Sequence, residues 1–317
     1  MGANKSIARN AAGKLRYPPA HNYHRPMTTD TPPPRRKWHF NRWLIVFIIA
    51  ALGWSGWRAY AFRSALKQAE ALGWDVRYTD PAEEIRQNWR AAFKKETWLD
   101  GVGRIYFSKG AALGQHQDII SRLNPRSMES YDLVTDHDIS ALKDLTRLEG
   151  IFLHDCARLT NIDSLKSIPS LRLVLLTQCT AMTNADAFKD LSALRGVGLV
   201  HCTELVNVDG LKNLAALKEV VLEGGTALTN VDALMNLSAL EQVSLENCTR
   251  LTNVDAVKNL SALKHVYLKG CTGLINVDGL KNLSALQTVS LDGCTALTPE
   301  SIAALKAALP NAEIIGP

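Results

Sequence analysis

The cysteines stand at Cys156, Cys179, Cys202, Cys248, Cys271 and Cys294, separated by 23, 23, 46, 23 and 23 residues. Gly225 occupies the place where the double gap lacks one. The surrounding sequence repeats in step: LSALEQVSLENCTRLTNVDAVKN returns one period later as LSALKHVYLKGCTGLINVDGLKN. A fixed period in the twenties means stacked units, because a unit of that size cannot bury its own apolar face. The chain is therefore organised as a solenoid. Such a stack usually offers a binding surface rather than a catalytic cavity.

Superposing the copies gives Leu-x-x-Val-x-Leu-x-x-Cys-x-x-Leu-Thr-Asn-Val-Asp-x-Leu-x-Asn-Leu. In one copy the apolar positions are Leu240, Val243, Leu245, Cys248, Leu251, Val254, Val257 and Leu260. Alternation predicts a short parallel strand at Val243-Ser244-Leu245, with Val243 and Leu245 inward and Ser244 on the concave face. This pattern resembles the leucine-rich repeat family, L-x-x-L-x-L-x-x-N/C-x-L. The phrase Asp138-Ile139-Ser140-Ala141-Leu142-Lys143-Asp144-Leu145-Thr146 is similar to the short internalin-type repeats of bacterial surface proteins. The resemblance spans roughly residues 100–317, with seven clear coils marked by the cysteines and Gly225. It implies an α/β leucine-rich repeat solenoid, with a parallel sheet on the concave face and short helical turns on the convex face. It is nearly silent on the ligand, because that family binds many kinds of partner.

Two ladders invite chemical readings. One cysteine per coil at one phase places neighbours within disulfide reach, but parallel side chains rarely give the Cβ–S–S–Cβ twist a bridge needs. The ladder Cys156, Cys179, Cys202, Cys248, Cys271 and Cys294 reads as structural, small buried hydrophobes whose thiols bond weakly to carbonyls. Asp163, Asp186, Asp209, Asp232, Asp255 and Asp278 recur at the same period. A lone carboxylate per coil is a poor calcium cage and a good cap for a convex helical turn. The asparagines two positions earlier are expected to serve the same turns.

Charge separates the ends of the chain. Residues 1–42 carry nine basic side chains against Asp30 alone, a net of +8, which leaves −3 for the rest of a chain whose total is +5. The repeats thus offer no basic stripe for a phosphate backbone, and nucleic acid is not an expected partner. The Pro-rich tail 1–42 reads as disordered. Its start matches a weak myristoylation pattern, and Met27 is an alternative first residue.

Residues 43–57 carry no charge, and the apolar stretch reaches twenty residues, 43–62, if Arg58 snorkels to the headgroups. The expectation is one transmembrane signal-anchor helix with Trp43, Trp54, Trp57 and Tyr60 as interfacial aromatics. A cleaved signal peptide ending at Ala59-Tyr60-Ala61 is the other reading. Five basic residues on the N-terminal side against four on the other favour a cytoplasmic N-terminus and extracytoplasmic repeats in the cell membrane. Residues 63–100 read as a juxtamembrane helix stopped by Gly73, a strand at residues 75–78, and a capping helix over residues 81–93. Strands are expected at Ile105-Tyr106-Phe107 and Tyr131-Asp132-Leu133, with a helix at residues 119–123. The repeats span 101–297, and 298–317 form a capping repeat, a helix from Pro299 followed by a strand at Glu313-Ile314-Ile315.

Function is sought on the concave face. The central outward column reads Phe152, Leu175, Gly198, Val221, Ser244, Tyr267 and Ser290; the flanking one reads His154, Thr177, Val200, Glu223, Glu246, Lys269 and Asp292. An apolar strip of Phe152, Leu175, Val200 and Val221 leading into Glu223, Glu246, Tyr267 and Lys269 has the character of a protein-contact patch, with His154 at its edge. No nucleophile elbow, phosphate loop or paired carboxylates accompany it. His154, His201 and His265 fall at different phases and converge on no metal. The chain is expected to be non-enzymatic, without cofactor, metal or small-molecule substrate. It is read as a membrane-tethered scaffold for a protein partner. The alternatives are an adhesive envelope protein contacting cell wall or glycan, and a cytosol-facing adaptor of inverted topology.

Overall fold

The computed structural model describes residues 42–78, 102–107, 113–131 and 134–316; of residues 42–56, 77–78 and 102–104 it describes the backbone alone. The chain divides into two units, Met1–Leu52 and Gly53–Pro317. Helix α1 runs Arg42–Ala71. Among the described residues no helix is long and apolar enough to cross a membrane. The side chains of most of the expected anchor, residues 43–56, lie outside that description, as does the expected capping helix at 81–93.

Among the described residues eleven strands form one sheet in sequence order. Strand β1 (Asp75–Tyr78) pairs antiparallel with β2 (Val102–Phe107). Every later pair is parallel: β3 (Ser127–Ser130), β4 (Gly150–Leu153), β5 (Leu173–Thr177), β6 (Gly196–Val200), β7 (Glu219–Val221), β8 (Gln242–Ser244), β9 (His265–Tyr267), β10 (Thr288–Ser290) and β11 (Glu313–Ile315). Consecutive strands of this kind are what a one-strand-per-coil repeat must make. The second early strand is β3, ending at Ser130; of the expected Tyr131-Asp132-Leu133, Tyr131 follows that strand and residues 132–133 lie outside the described residues. Met128 and Ser130 face the core there, and Tyr131 already leaves the sheet with its ring exposed.

The coil interior is dry. In the fifth clear coil Leu240, Val243, Leu245, Cys248, Leu251, Val254, Val257 and Leu260 are all at most 1% exposed. A fully buried Leu or Val stabilises by roughly 1.5–3 kcal/mol, and each coil needs its neighbours to bury these faces. The first coil is covered by the end of α1, where Ala65 and Ala69 are buried, and by Trp74, whose ring meets Phe107 edge-on at 4.7 Å. Gly73 (φ +74°) ends the helix, a left-handed geometry that glycine adopts without penalty. At the far end the Thr298 hydroxyl accepts from the Ser301 N–H at 3.2 Å and caps helix α4 (Pro299–Ala308). Among the described residues two short α-helices lie between β2 and the clear coils, α2 (Gln117–Leu123) and α3 (Asp136–Ser140).

The convex side carries one-turn 3-10 helices that begin at Asp163, Asp186, Asp209, Asp232, Asp255 and Asp278. The aspartates do not cap them. The cap is the asparagine two residues earlier, whose Oδ1 accepts the aspartate N–H at 2.6 Å for Asn161, 3.1 Å for Asn253 and 2.7 Å for Asn276. The aspartates are exposed, and Asp209 and Asp278 pair with the lysine three residues on, at 2.9 and 2.6 Å. A side chain placed before the turn reaches its free N–H groups, whereas one inside the turn points away from them.

All six cysteines are free thiols with no exposed surface. Cys248, Cys271 and Cys294 donate to the carbonyls of Leu222, Leu245 and Leu268 in the preceding coil at 3.2, 3.0 and 3.1 Å. Cys156, Cys179 and Cys202 reach carbonyls of their own coil at 3.8 to 3.9 Å. The residue before each ladder position lies in the left-handed region: Asp155, Gln178, His201, Gly224, Asn247, Gly270 and Gly293 have φ between +56° and +75°. This turn swings the chain from strand to core and aims the next side chain inward. It costs an ordinary L-residue roughly 1–2 kcal/mol, so glycine and asparagine recur there.

Candidate functional site

Strand pairing places Glu129, Phe152, Leu175, Gly198, Val221, Ser244, Tyr267 and Ser290 in one register across the sheet. This is the central column anticipated from the repeat. A second outward column runs beside it: Ser127, Gly150, Leu173, Gly196, Glu219, Gln242, His265 and Thr288. Sequence reasoning omitted this column because the strands were taken as three residues long, whereas β4, β5 and β6 begin one residue earlier.

Where the two columns meet, a cavity of about 250 Å³ opens on the concave face, lined by Phe152, Leu173, Leu175, Gly196, Gly198, Glu219 and Val221 among others. Three glycines make it. A Cβ on Gly196 would stand 2.8 Å from Leu173 Cδ2, and one on Gly198 would stand 2.6 Å from Leu175 Cδ1. A Cβ on Gly150 would press the Phe152 ring at 3.1 Å. The two leucines therefore lean over bare backbone of the next strand, and the phenylalanine folds over its own. Leu173 is still 45% exposed, apolar surface on a rigid sheet with water against it. Glycine inside a strand marks such a close approach, and that was the signal available.

Polar groups stand at both ends. Towards the N-terminus the Tyr131 ring stacks on His154 (centroids 4.4 Å, planes 10° apart) and its hydroxyl donates to Glu129 Oε1 at 2.5 Å. That bond to a carboxylate raises the phenol above its ordinary range. The same oxygen lies 3.9 Å from His154 Nε2. Towards the C-terminus the buried Ser244 hydroxyl donates to Glu223 Oε1 at 3.0 Å, and the Gln242 amide donates to Glu219 Oε1 at 3.3 Å.

Of the residues singled out beforehand, Phe152, Leu175 and Val221 line the cavity. Val200, Glu223 and Glu246 lie half-buried along one side of it, and His154 at its N-terminal end. Tyr267 and the exposed Lys269 belong to a later coil, where the Tyr267 ring parallels that of His265 at 6.4 Å. His201 is exposed in the left-handed turn, and His265 is half-buried. Among the described residues no three His, Cys, Asp or Glu side chains gather as a metal ion would need.

The 23-residue coil, the parallel concave sheet and the one-turn convex helices are those of a leucine-rich repeat solenoid fold. No sequence family description matches the chain, and no curated protein does. Solved structures do resemble it. An internalin, inlF, of Listeria monocytogenes is 16% identical over 74% of this chain and 89% of that one, with a TM-score of 0.39. Internalin C2 of the same organism is 18% identical over 63% and 84%, with a TM-score of 0.49. The leucine-rich repeat domain of the type III effector XopL is 18% identical over 83% and 94%, with a TM-score of 0.42. Likeness at this level concerns the fold and leaves the ligand open.

Proposed function

We propose that this chain is a non-enzymatic interaction scaffold whose repeat domain holds a protein partner on its concave face. The observation that carries the reading is the glycine-floored apolar cavity around Phe152, Leu173 and Leu175. Leu173 is 45% exposed there, and seating a partner's apolar side chain removes that surface from water. Partner contact is assigned to Phe152, His154, Leu175, Val200, Val221, Glu223, Glu246, Tyr267 and Lys269. Within the same reading, residues 43–62 anchor the chain in the cell membrane with the N-terminus cytoplasmic and the repeats outside. The uncharged run 43–57 and the Arg35-Arg36-Lys37 cluster before it support that placement.

Affinity capture with the full chain tests the first part. Phe152→Asp combined with Tyr267→Ala should release the captured protein while circular dichroism stays unchanged; identical capture by both chains refutes the assignment. Protease added to intact cells tests the second. The repeats should be digested from outside, and complete protection would reverse the topology.

A further inference from the structure

Just before each concave strand lies a third row of residues, stitched coil to coil by the backbone. The Arg172 N–H donates to the Glu149 carbonyl, Arg195 to Arg172, Lys218 to Arg195 and Glu241 to Lys218, each at 2.8 Å. The row therefore runs as straight as the sheet, with side chains one strand spacing, about 4.8 Å, apart. Its ends are neutralised. Arg126 and Arg172 lie 3.8 and 3.9 Å from Glu149, and Lys218 and Lys264 lie 2.8 and 2.6 Å from Glu241. In the middle, beside the cavity, Arg172, Arg195 and Lys218 follow one another without a carboxylate between them. Arg195 is exposed and has no ion pair among the described residues. The opposite edge carries the reverse sign, with Glu223 and Glu246 following Val200 in the flanking column.

We propose, building on the concave-face reading above, that the cavity takes apolar side chains from a protein segment that is acidic along one edge only. Its carboxylates meet Arg195, which of the three shares no glutamate among the described residues, with Arg172 and Lys218, each paired to a glutamate of the row, flanking it. Three parallel rows set this pattern. The cationic row attracts acid and relieves its own crowding. The glycine-floored cavity takes Leu-, Met- or Phe-sized groups. The glutamate edge repels acid on the far side and so fixes which way round the segment lies. This chain's own basic tail has the wrong sign for the cationic row.

Selection of a random peptide display library on the full chain in nanodiscs tests this. Enriched peptides should join apolar residues to Asp or Glu on one edge. They should bind about tenfold more weakly to Arg172→Glu/Arg195→Glu, and by a smaller factor to Arg172→Gln/Arg195→Gln, with both variants melting like the parent. Binding should weaken with added salt. If enriched peptides lack acidic bias yet are lost with Phe152→Asp, the acidic-edge inference falls and the concave-face reading stands. If they ignore Phe152→Asp, both fall. If phosphatidylserine vesicles bind through the cationic row while no acidic peptide is enriched, the row serves anionic headgroups and the inference is overturned.

Discussion

Raising the pH probes the thiol ladder directly. Burial pushes Cys248 and Cys271 up to about 12 from an ordinary 9.0. A protonated thiol is neutral, so the native state holds this proton where the unfolded chain releases it. The corresponding stability is complete below pH 9 and is lost as pH rises towards 12. Across that window each thiol costs about 1.4 kcal/mol per pH unit, so two thiols over three units remove about 8 kcal/mol. A domain with about 5–8 kcal/mol in hand, the lower part of the usual range, should then unfold between about pH 11 and 12. Urea titrations followed by circular dichroism from pH 8 to 11 would give the slope, and thiolate absorbance at 240 nm would time the ionisation. Lysines and tyrosines titrate in the same range, so the informative comparison is Cys248→Ala/Cys271→Ala. That variant starts less stable but should lose stability with pH by about 3 kcal/mol per unit less than the parent. Thiols ionising near pH 9 with the spectrum intact, or equal slopes in both chains, would refute the account of a dry interior.

Asn276→Ala deletes the 2.7 Å cap on the Asp278 N–H and should cost about 1 kcal/mol by urea midpoint, whereas Asp278→Ala should cost less. Gly270→Ala forces a side chain into φ +75° and should destabilise by about 1–2 kcal/mol. Gln178→Gly, at φ +57°, should be neutral or slightly stabilising in the same assay. Phe188 fills a fully buried place where other coils carry Leu or Val, so Phe188→Ala should cost about 3–5 kcal/mol and be partly rescued by Phe188→Leu.

The period alone was enough to set strand order, the inward phase of the motif's repeating leucines and the burial of the thiols, since each follows from one coil stacking on the next. It also placed the column through Phe152, Leu175 and Val221. Three things escaped it. Asn and Asp were both expected to serve each convex turn, and which one caps it was not legible; the cap is Asn, a matter of which side chain can curl back to a free N–H. Ladders of Asn and Asp at the same period look alike until that geometry is known. The second early strand stands at Ser127–Ser130, ahead of Tyr131 rather than starting from it, because early coils have drifted from the motif and keep only its spacing. Leu173 was missed as a cavity wall because its partner is an absence, the bare backbone of Gly196. Apolar pattern rules score side chains and are blind to the space that glycine leaves.

Strand order has a mechanical consequence. Each strand from β3 to β10 is held only by the one before and the one after, and its hydrogen bonds point along the stack. Force applied to the two ends of the stack is carried by every rung in turn, and release starts at the end coils, which have a neighbour on one side only. Each released coil of 23 residues would pay out up to about 80 Å of slack in place of about 5 Å of stacked height. Such a domain yields under modest tension coil by coil from its ends, lengthening many-fold while its middle rungs, which carry the same tension, still hold.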